Sequence, residues 1–231
     1  MATTAQARMS AQTKKYAVLL VDDHPVVRQG LALLIDREPD LCVCGEAEGA
    51  HSAFQAISAL RPDIVVLDIS LCGPDGLDVL KEIRALSGSL PVLMLSMHDE
   101  SIYAERALRA GANGYIMKQE ATEKVLIAIR KILRGEVYLS ERLTSVMLHQ
   151  IARGPDTIKN SPIVSLTDRE LEIFRLIGEG HTTRQIAGEL HLSVKTIESH
   201  QAHIKEKLAL RSSRELLQHA IEWTVTLGGG Y

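Results

Sequence analysis

The stretch Asp63-Ile64-Val65-Val66-Leu67-Asp68-Ile69-Ser70 sets an apolar, largely β-branched run between two carboxylates. The run has no polar alternation, so both of its faces need cover, as in a parallel strand packed between helices. Similar runs flank it at residues 16–21, 41–44, 92–95 and 115–117. Between them apolar residues recur at helical spacing, as in Val26/Leu31/Leu34 and Leu77/Leu80/Ile83. Five such strand–helix units predict an α/β domain, a five-stranded parallel doubly wound sheet.

Functional groups in open parallel sheets collect at the carboxyl ends of the strands. Those ends carry Asp22 and Asp23, then Asp68, Ser96 and Lys118. A single acidic residue at a strand end is ordinarily a solvated loop residue or a helix cap. All five gathered on one rim ask for a shared purpose. Three carboxylates without counter-cations repel one another. Mg2+ relieves that, since it favours oxygen ligands, keeps several waters and binds through one or two carboxylates plus a phosphoryl oxygen. A carboxylate is also a competent nucleophile that forms an aspartyl phosphate. The rim therefore reads as a site that receives a phosphoryl group on Asp68, with Lys118 and the Ser96 hydroxyl on the remaining phosphoryl oxygens. A phosphatase of the haloacid-dehalogenase type needs Asp-x-Asp at the nucleophile, and Asp68-Ile69-Ser70 lacks the second Asp.

Past residue 135 the strand patterns stop. Residues 139–152 have a helical period with Ser140 placed as its cap, and residues 154–165 mix Gly, Pro, Asp, Asn, Ser and Lys as a linker does. From Leu166 onward only helical periods remain. Thr167–Glu170, Thr182–Gln185 and Ser212–Glu215 each fit the capping box, and Ser193 supplies a further N-cap. The expected organisation is a disordered N-terminus over 1–14, the α/β domain over 15–135, a linker with a helix over 136–163, and a small all-α domain over 164–227.

The 231 residues, 45% of them hydrophobic, suffice for two cores. Apolar runs such as residues 17–21 fall far short of the ~18 that suggest a membrane helix, and residues 1–15 hold no secretory h-region. Cys42, Cys44 and Cys72 form neither a closed disulfide set nor a CxxC zinc pair, which points to a reducing, cytoplasmic setting and no membrane. Residues 1–135 hold 15 basic and 17 acidic side chains, and residues 160–231 hold 8 and 9. Neither part is basic overall, so any nucleic-acid contact has to be built locally. Residues 193–214 provide the place: Lys195, Lys205, Lys207, Arg211 and Arg214 against Glu198 and Glu206, a local +3.

A helix over 183–190 and a longer one over 194–208 are separated by His191-Leu192-Ser193. Ile186, Ala187, Leu190, Val194, Ile197, Ile204 and Leu208 take the inner face, and Lys195, Glu198, Ser199, Ala202, Lys205 and Glu206 the outer one. That is the form of a recognition helix entering a major groove. On charge alone, a solvated surface helix fits equally well.

Longer motifs break that tie. Val21-Asp22-Asp23-His24, Asp63 through Asp68, Leu95-Ser96 and Gly111-Ala112-Asn113-Gly114-Tyr115-Ile116-Met117-Lys118 resemble the receiver domain of two-component response regulators. Leu166-Thr167-Asp168-Arg169-Glu170-Leu171-Glu172, Ser193-Val194-Lys195-Thr196-Ile197 and Ile204-Lys205-Glu206-Lys207-Leu208 resemble the LuxR-type helix-turn-helix. The combination is similar to regulators of the NarL/FixJ class. The resemblance implies that Asp68 is the phospho-acceptor, that Asp23, Asp68 and the Ser70 carbonyl hold Mg2+, and that Asp22 acts from behind or through water. It also implies that Ser96 moves toward the phosphate, Tyr115 is the switch aromatic, and Lys118 clamps the phosphate. Lys195, Thr196, Lys205 and Lys207 are then DNA-contacting, the first two and Lys207 on phosphates, while Glu198, Ser199 and Ala202 face base edges. Many relatives carry Lys where Glu198 stands, and Glu can accept from a cytosine amino group but repels phosphates. One departure lies after the acceptor, where Cys72 stands in place of the usual proline and Pro74 follows two residues later.

The implied partners are a sensor histidine kinase, promoter DNA and, when phosphorylated, a second copy of the chain. The pairing surfaces would be residues 26–37, 122–134 and 213–223. The implied function is a phosphorylation-switched transcriptional regulator, not an enzyme beyond accepting and slowly losing the phosphoryl group. The competing reading keeps the receiver and uses the helical domain for protein contacts only. His200 and His203, three apart with no further ligand near them in sequence, read as DNA-contacting or surface residues rather than a metal pair. Cys42 and Cys44 read as small buried hydrophobes, Trp223 as a packing residue, and His98 as either a neighbour of the acceptor or ordinary loop.

Overall fold

The computed structural model describes residues 15–71, 76–97, 100–145, 148 and 162–228. Five strands, β1 (Tyr16–Val21), β2 (Leu41–Ala47), β3 (Ile64–Asp68), β4 (Val92–Ser96) and β5 (Gly114–Met117), form one parallel sheet in the order β2-β1-β3-β4-β5. The helices between and after them are α1 (Pro25–Asp36), α2 (Ala50–Leu60), α3 (Gly76–Leu86), α4 (Glu100–Arg109) and α5 (Ala121–Leu133). Successive residues of a strand point to opposite faces, and both faces here are apolar. Val18, Leu20, Ile64, Val66, Leu93, Leu95 and Ile116 pack with Leu31 and Ile35 of α1 and Val125, Ile129 and Ile132 of α5. Leu19, Val21, Val65, Leu67, Val92, Met94 and Tyr115 pack with Ala53, Leu77, Leu80, Ile83, Tyr103 and Ala107 from α2, α3 and α4. The unbroken apolar runs of the sequence are thus the signature of a sheet covered twice.

β2 is longer than its apolar run, extending through Gly45 and Glu46 to Ala47. It is an edge strand, so one side of its backbone satisfies the ladder while Glu46 stays exposed to meet Arg28 Nε at 2.9 Å. Cys42 and Cys44 sit on this strand half-buried rather than sealed in the core, as free thiols. After α5 the chain returns beside β5, where the Tyr115 amide donates to the Tyr138 carbonyl and the Tyr138 amide to that of Asn113. That return covers the opposite edge of the sheet.

The helical part contains α6 (Asp168–Gly178), α7 (Thr183–Glu189), α8 (Val194–Lys207) and α9 (Ser213–Gly228). Thr167 with Glu170 and Thr182 with Gln185 make complete capping boxes, and the Ser193 side chain accepts from the Thr196 amide. At α9 the Ser212 hydroxyl accepts from the Glu215 amide, but the Glu215 carboxylate reaches the Arg211 amide, one residue before the cap. Phe174, Ile186, Ile197, Ile204 and Ala220 form the centre, with the Trp223 ring 5.6 Å from that of Phe174. Helices α6 and α9 touch closely at Gly178, where a Cβ would lie 2.4 Å from the Ala220 carbonyl oxygen. The expected inner position Val194 is instead 40% exposed. It is the first residue of α8, and the buried face of that turn is supplied by Ile197 instead.

Ser140 opens a helical turn at 141–145, its Oγ accepting from the Leu143 amide and donating to Glu100 of α4. Farther along, Arg106 of α4 donates to the carbonyls of Leu166 (2.9 Å) and Ile163 (3.3 Å), tying the α/β domain to the entrance of the helical one. The expected disorder of 1–14 and residues 146, 147 and 149–152 of the expected helix over 139–152 lie outside the described residues. Among the described residues no helix is long and apolar enough to cross a membrane.

Candidate functional site

The first site is assembled by sheet topology. β1 and β3 are neighbours, and the chain leaves them toward opposite sides, which opens a crevice at their carboxyl ends. Asp22 and Asp23 follow β1, Asp68 ends β3, Ser96 ends β4 and Lys118 follows β5. Lys118 Nζ stands 2.7 Å from Asp68 Oδ2 and 2.8 Å from Asp22 Oδ2. Asp22, Asp68 and Ser96 are buried, at 2%, 0% and 0% exposure. His24, for which the sequence motifs imply no role, places Nδ1 2.7 Å from Asp23 Oδ1, so the residue after the acidic pair joins the cluster.

Burial is the main force on Asp68, and with the charge of Asp22 it pushes the carboxyl up to about 6 despite the opposing pull of Lys118. Burial also works against the Lys118 ammonium, but Asp68 and Asp22 together outweigh it and hold its pKa above the ordinary lysine value. The site is thus short of positive charge in spite of its lysine. Oδ1 of Asp68 is buried with no hydrogen-bond partner. Ligand atoms of Asp22, Asp23, His24 and Asp68 all lie within 4.8 Å of one another. A carboxylate-rich cluster with a buried, unsatisfied oxygen fits a hard divalent cation such as Mg2+.

Ser70 lies two residues past Asp68, half-buried, and Tyr115 is buried in β5 at 1% exposure. Gly76 closes the loop after the acceptor, its amide donating to the Ile69 carbonyl at 2.8 Å. A Cβ there would lie 2.1 Å from the Asp68 carbonyl oxygen, so only glycine lets the start of α3 come this near. Arg84 of α3 secures the other end of this layer, donating to the Gly111 carbonyl and the Asn113 side chain. Cys72, Pro74 and His98 lie outside the described residues.

The second site is the α7–α8 pair. The turn between them is a Schellman closure, with the Leu192 amide on the Ala187 carbonyl and His191 in the left-handed region at φ 52°. Lys195, Glu198, Ser199 and Ala202 are exposed on α8, and Thr196 and Lys205 are half-buried. Thr196 Oγ1 is 2.7 Å from Ser193 Oγ, so this hydroxyl belongs to the cap. Lys207 lies 2.6 Å from Oε2 of the buried Glu170 on α6, an ion pair that competes with any phosphate contact. Burial raises the Glu170 carboxyl, but Lys207 and Thr167 outweigh it and leave its pKa lowered. This pairing spans 37 positions and went unread in the sequence, where Glu170 already had a role in its capping box.

The two halves match two family models. Residues 18–130 match the response regulator receiver domain, and residues 164–220 match the luxR family of bacterial regulatory proteins. The chain is 35% identical over 211 residues to the oxygen regulatory protein NreC of Staphylococcus haemolyticus, covering 89% of this chain and 96% of that protein. A LuxR-family two-component response regulator from Aurantimonas sp. SI85-9A1 superposes with a TM-score of 0.56 at 35% identity, over 60% of this chain and 99% of that one. RcsB of Salmonella enterica serovar Typhimurium, bound to a promoter in the presence of phosphomimetic BeF3-, superposes with a TM-score of 0.55 at 26% identity, over 89% of this chain and 97% of that one. The chain belongs to the two-component response regulators that couple a receiver domain to a LuxR-type helix-turn-helix, the DNA-binding transcription regulators switched by phosphorylation.

Proposed function

We propose that Asp68 accepts a phosphoryl group from a sensor histidine kinase and that its phosphorylation controls binding of α8 to promoter DNA. The observation that carries this reading is the buried Asp68 carboxylate with one oxygen on Lys118 and the other unsatisfied. An Asp68 oxygen attacks the phosphorus, and the bond from phosphorus to the donor's imidazole nitrogen breaks with its electrons returning to the ring. Asp23, Asp68 and the Ser70 carbonyl, with Asp22 close by, would hold Mg2+, which supplies charge neutralisation for the incoming phosphoryl oxygens. Lys118 stands ready for one of those oxygens, and burial of Ser96 and Tyr115 in the adjoining strands lets them respond to the new dianion.

In this proposal residues 15–135 are the receiver, 136–163 the linker and 164–227 the DNA-binding domain, in a cytoplasmic protein that catalyses nothing beyond its own phosphorylation and slow dephosphorylation. On DNA, Lys195, Thr196, Lys205 and Lys207 serve the backbone, and Glu198, Ser199 and Ala202 the base edges. Two copies bind together, because one helix-turn-helix contacts a single half-site. RcsB has been solved as two dimers bound to two parallel DNAs, which supports the same expectation here. The test is incubation with acetyl phosphate and Mg2+. Wild type should acquire a hydroxylamine-labile acyl phosphate and Asp68→Asn none; equal labelling of both would move the acceptor elsewhere.

A further inference from the structure

Glu170, His200 and His203 bring their ligand atoms within 4.8 Å of one another. The two histidines lie three apart on α8 and so share one face. Glu170 comes from α6, where it is the third residue of the capped first turn. Neither the family's phosphorylation chemistry nor its base readout uses this grouping. We propose that Glu170, His200 and His203 form a site for a borderline divalent transition ion, with Zn2+ as its type, inside the DNA-binding domain.

The donor set decides the class of ion. Two imidazoles and one carboxylate suit zinc and its neighbours, whereas Mg2+ and Ca2+ take oxygen throughout. Three protein ligands leave the fourth tetrahedral position open to water or another small donor. Ligand atoms around a zinc with bonds of ~2.0–2.1 Å stand roughly 3.3 Å apart, so a spread within 4.8 Å needs only a modest closing movement. His203 is exposed and its ring can turn without moving the core, while Glu170 is 3% exposed and fixed. Two of the hydrogen bonds to the Glu170 carboxylate, from the Thr167 amide at 2.7 Å and from Lys207 at 2.6 Å, fall on Oε2 and hold the group in place. A bound cation and the Lys207 ammonium repel each other across one carboxylate, so loading opposes the Lys207–Glu170 pair. The ion would fasten the recognition helix to α6 and turn Lys207 outward.

Co2+ is the probe, since a site of this kind gives it visible absorption bands. The full chain is titrated in excess Mg2+, which fills the receiver rim. One Co2+ per chain is expected, displaced by Zn2+, with its affinity weakened roughly tenfold or more in His203→Ala. Far-UV circular dichroism checks that this exposed substitution leaves the fold intact. Lys207→Gln, which removes the competing ammonium, should tighten binding, and Asp23→Ala should leave the bands in place. An unchanged titration in His203→Ala, or loss of the bands in Asp23→Ala, overturns the assignment.

Discussion

Asp68→Asn should make the metal-free protein more stable at neutral pH. Burial and the Asp22 charge lift the Asp68 carboxyl from 3.8 in its ordinary state to about 6 in the fold. Between those values the folded state holds a proton that the unfolded state has released. Stability from this group is therefore complete below pH ~4, falls as pH rises through about 6, and stays low above it. A shift of about two pKa units at 1.36 kcal/mol each makes the ionised carboxylate cost about 3 kcal/mol above pH ~7. Asparagine mimics the protonated carboxyl in shape and charge, and Lys118 keeps Asp22 at 2.8 Å in either case. In EDTA at pH 8, Asp68→Asn should raise the receiver's urea midpoint by about 1–2 M, taking a typical m-value of roughly 2 kcal/mol/M. The gain should shrink toward zero at pH ~4, and Mg2+ should narrow it by stabilising the wild type. Trp223 fluorescence follows the helical domain and circular dichroism follows both, so the two transitions are separable. An equal midpoint at pH 8, or a gain of the same size at pH 4, would refute the argument that buried charge strains the site.

Ala209 closes α8 in the left-handed region at φ 54°, so Ala209→Gly should stabilise the helical domain by about 1 kcal/mol, read as a higher midpoint in Trp223 fluorescence. Arg106→Ala removes both hydrogen bonds to Ile163 and Leu166 and should speed proteolysis within 136–165, with the receiver melt unchanged. Lys195→Ala should weaken binding to all DNA sequences alike and lower the salt slope by about one unit, measured by anisotropy at several ionic strengths. Glu198→Ala should relax preference at one base pair at a cost of ~1–3 kcal/mol for the preferred site; a selection profile unchanged in affinity and preference would mean that Glu198 does not face DNA.

Much of the receiver could be read from residue order, because a parallel sheet brings the ends of its strands together whatever their separation in sequence. Asp22, Asp23, Asp68, Ser96 and Lys118 needed no knowledge of side-chain contacts to be grouped. What sequence left out depends on packing between helices. Glu170 announces itself as a capping residue, and nothing in its neighbourhood points to Lys207 or to His200 and His203 on another helix. Val194 fits the apolar period of α8 yet stands 40% exposed as the first residue of the helix, while Ile197 in the same turn is buried. Arg84 and Arg106 are ordinary surface arginines in composition, and only the fold aims them at backbone carbonyls. β2 shows the reverse case, since Gly45 and Glu46 weaken its pattern while edge pairing with β1 still carries it to Ala47.

If the proposed function holds, charge arriving at Asp68 changes what α8 does on DNA. The measurement is the affinity of the full chain for a site obtained by selection from random sequence, with and without beryllofluoride and Mg2+, for wild type and Asp68→Asn. Wild type should bind more tightly, and as a dimer, when beryllofluoride is present, and Asp68→Asn should not respond. Equal affinity of wild type in both conditions, or the same gain in Asp68→Asn, would contradict it.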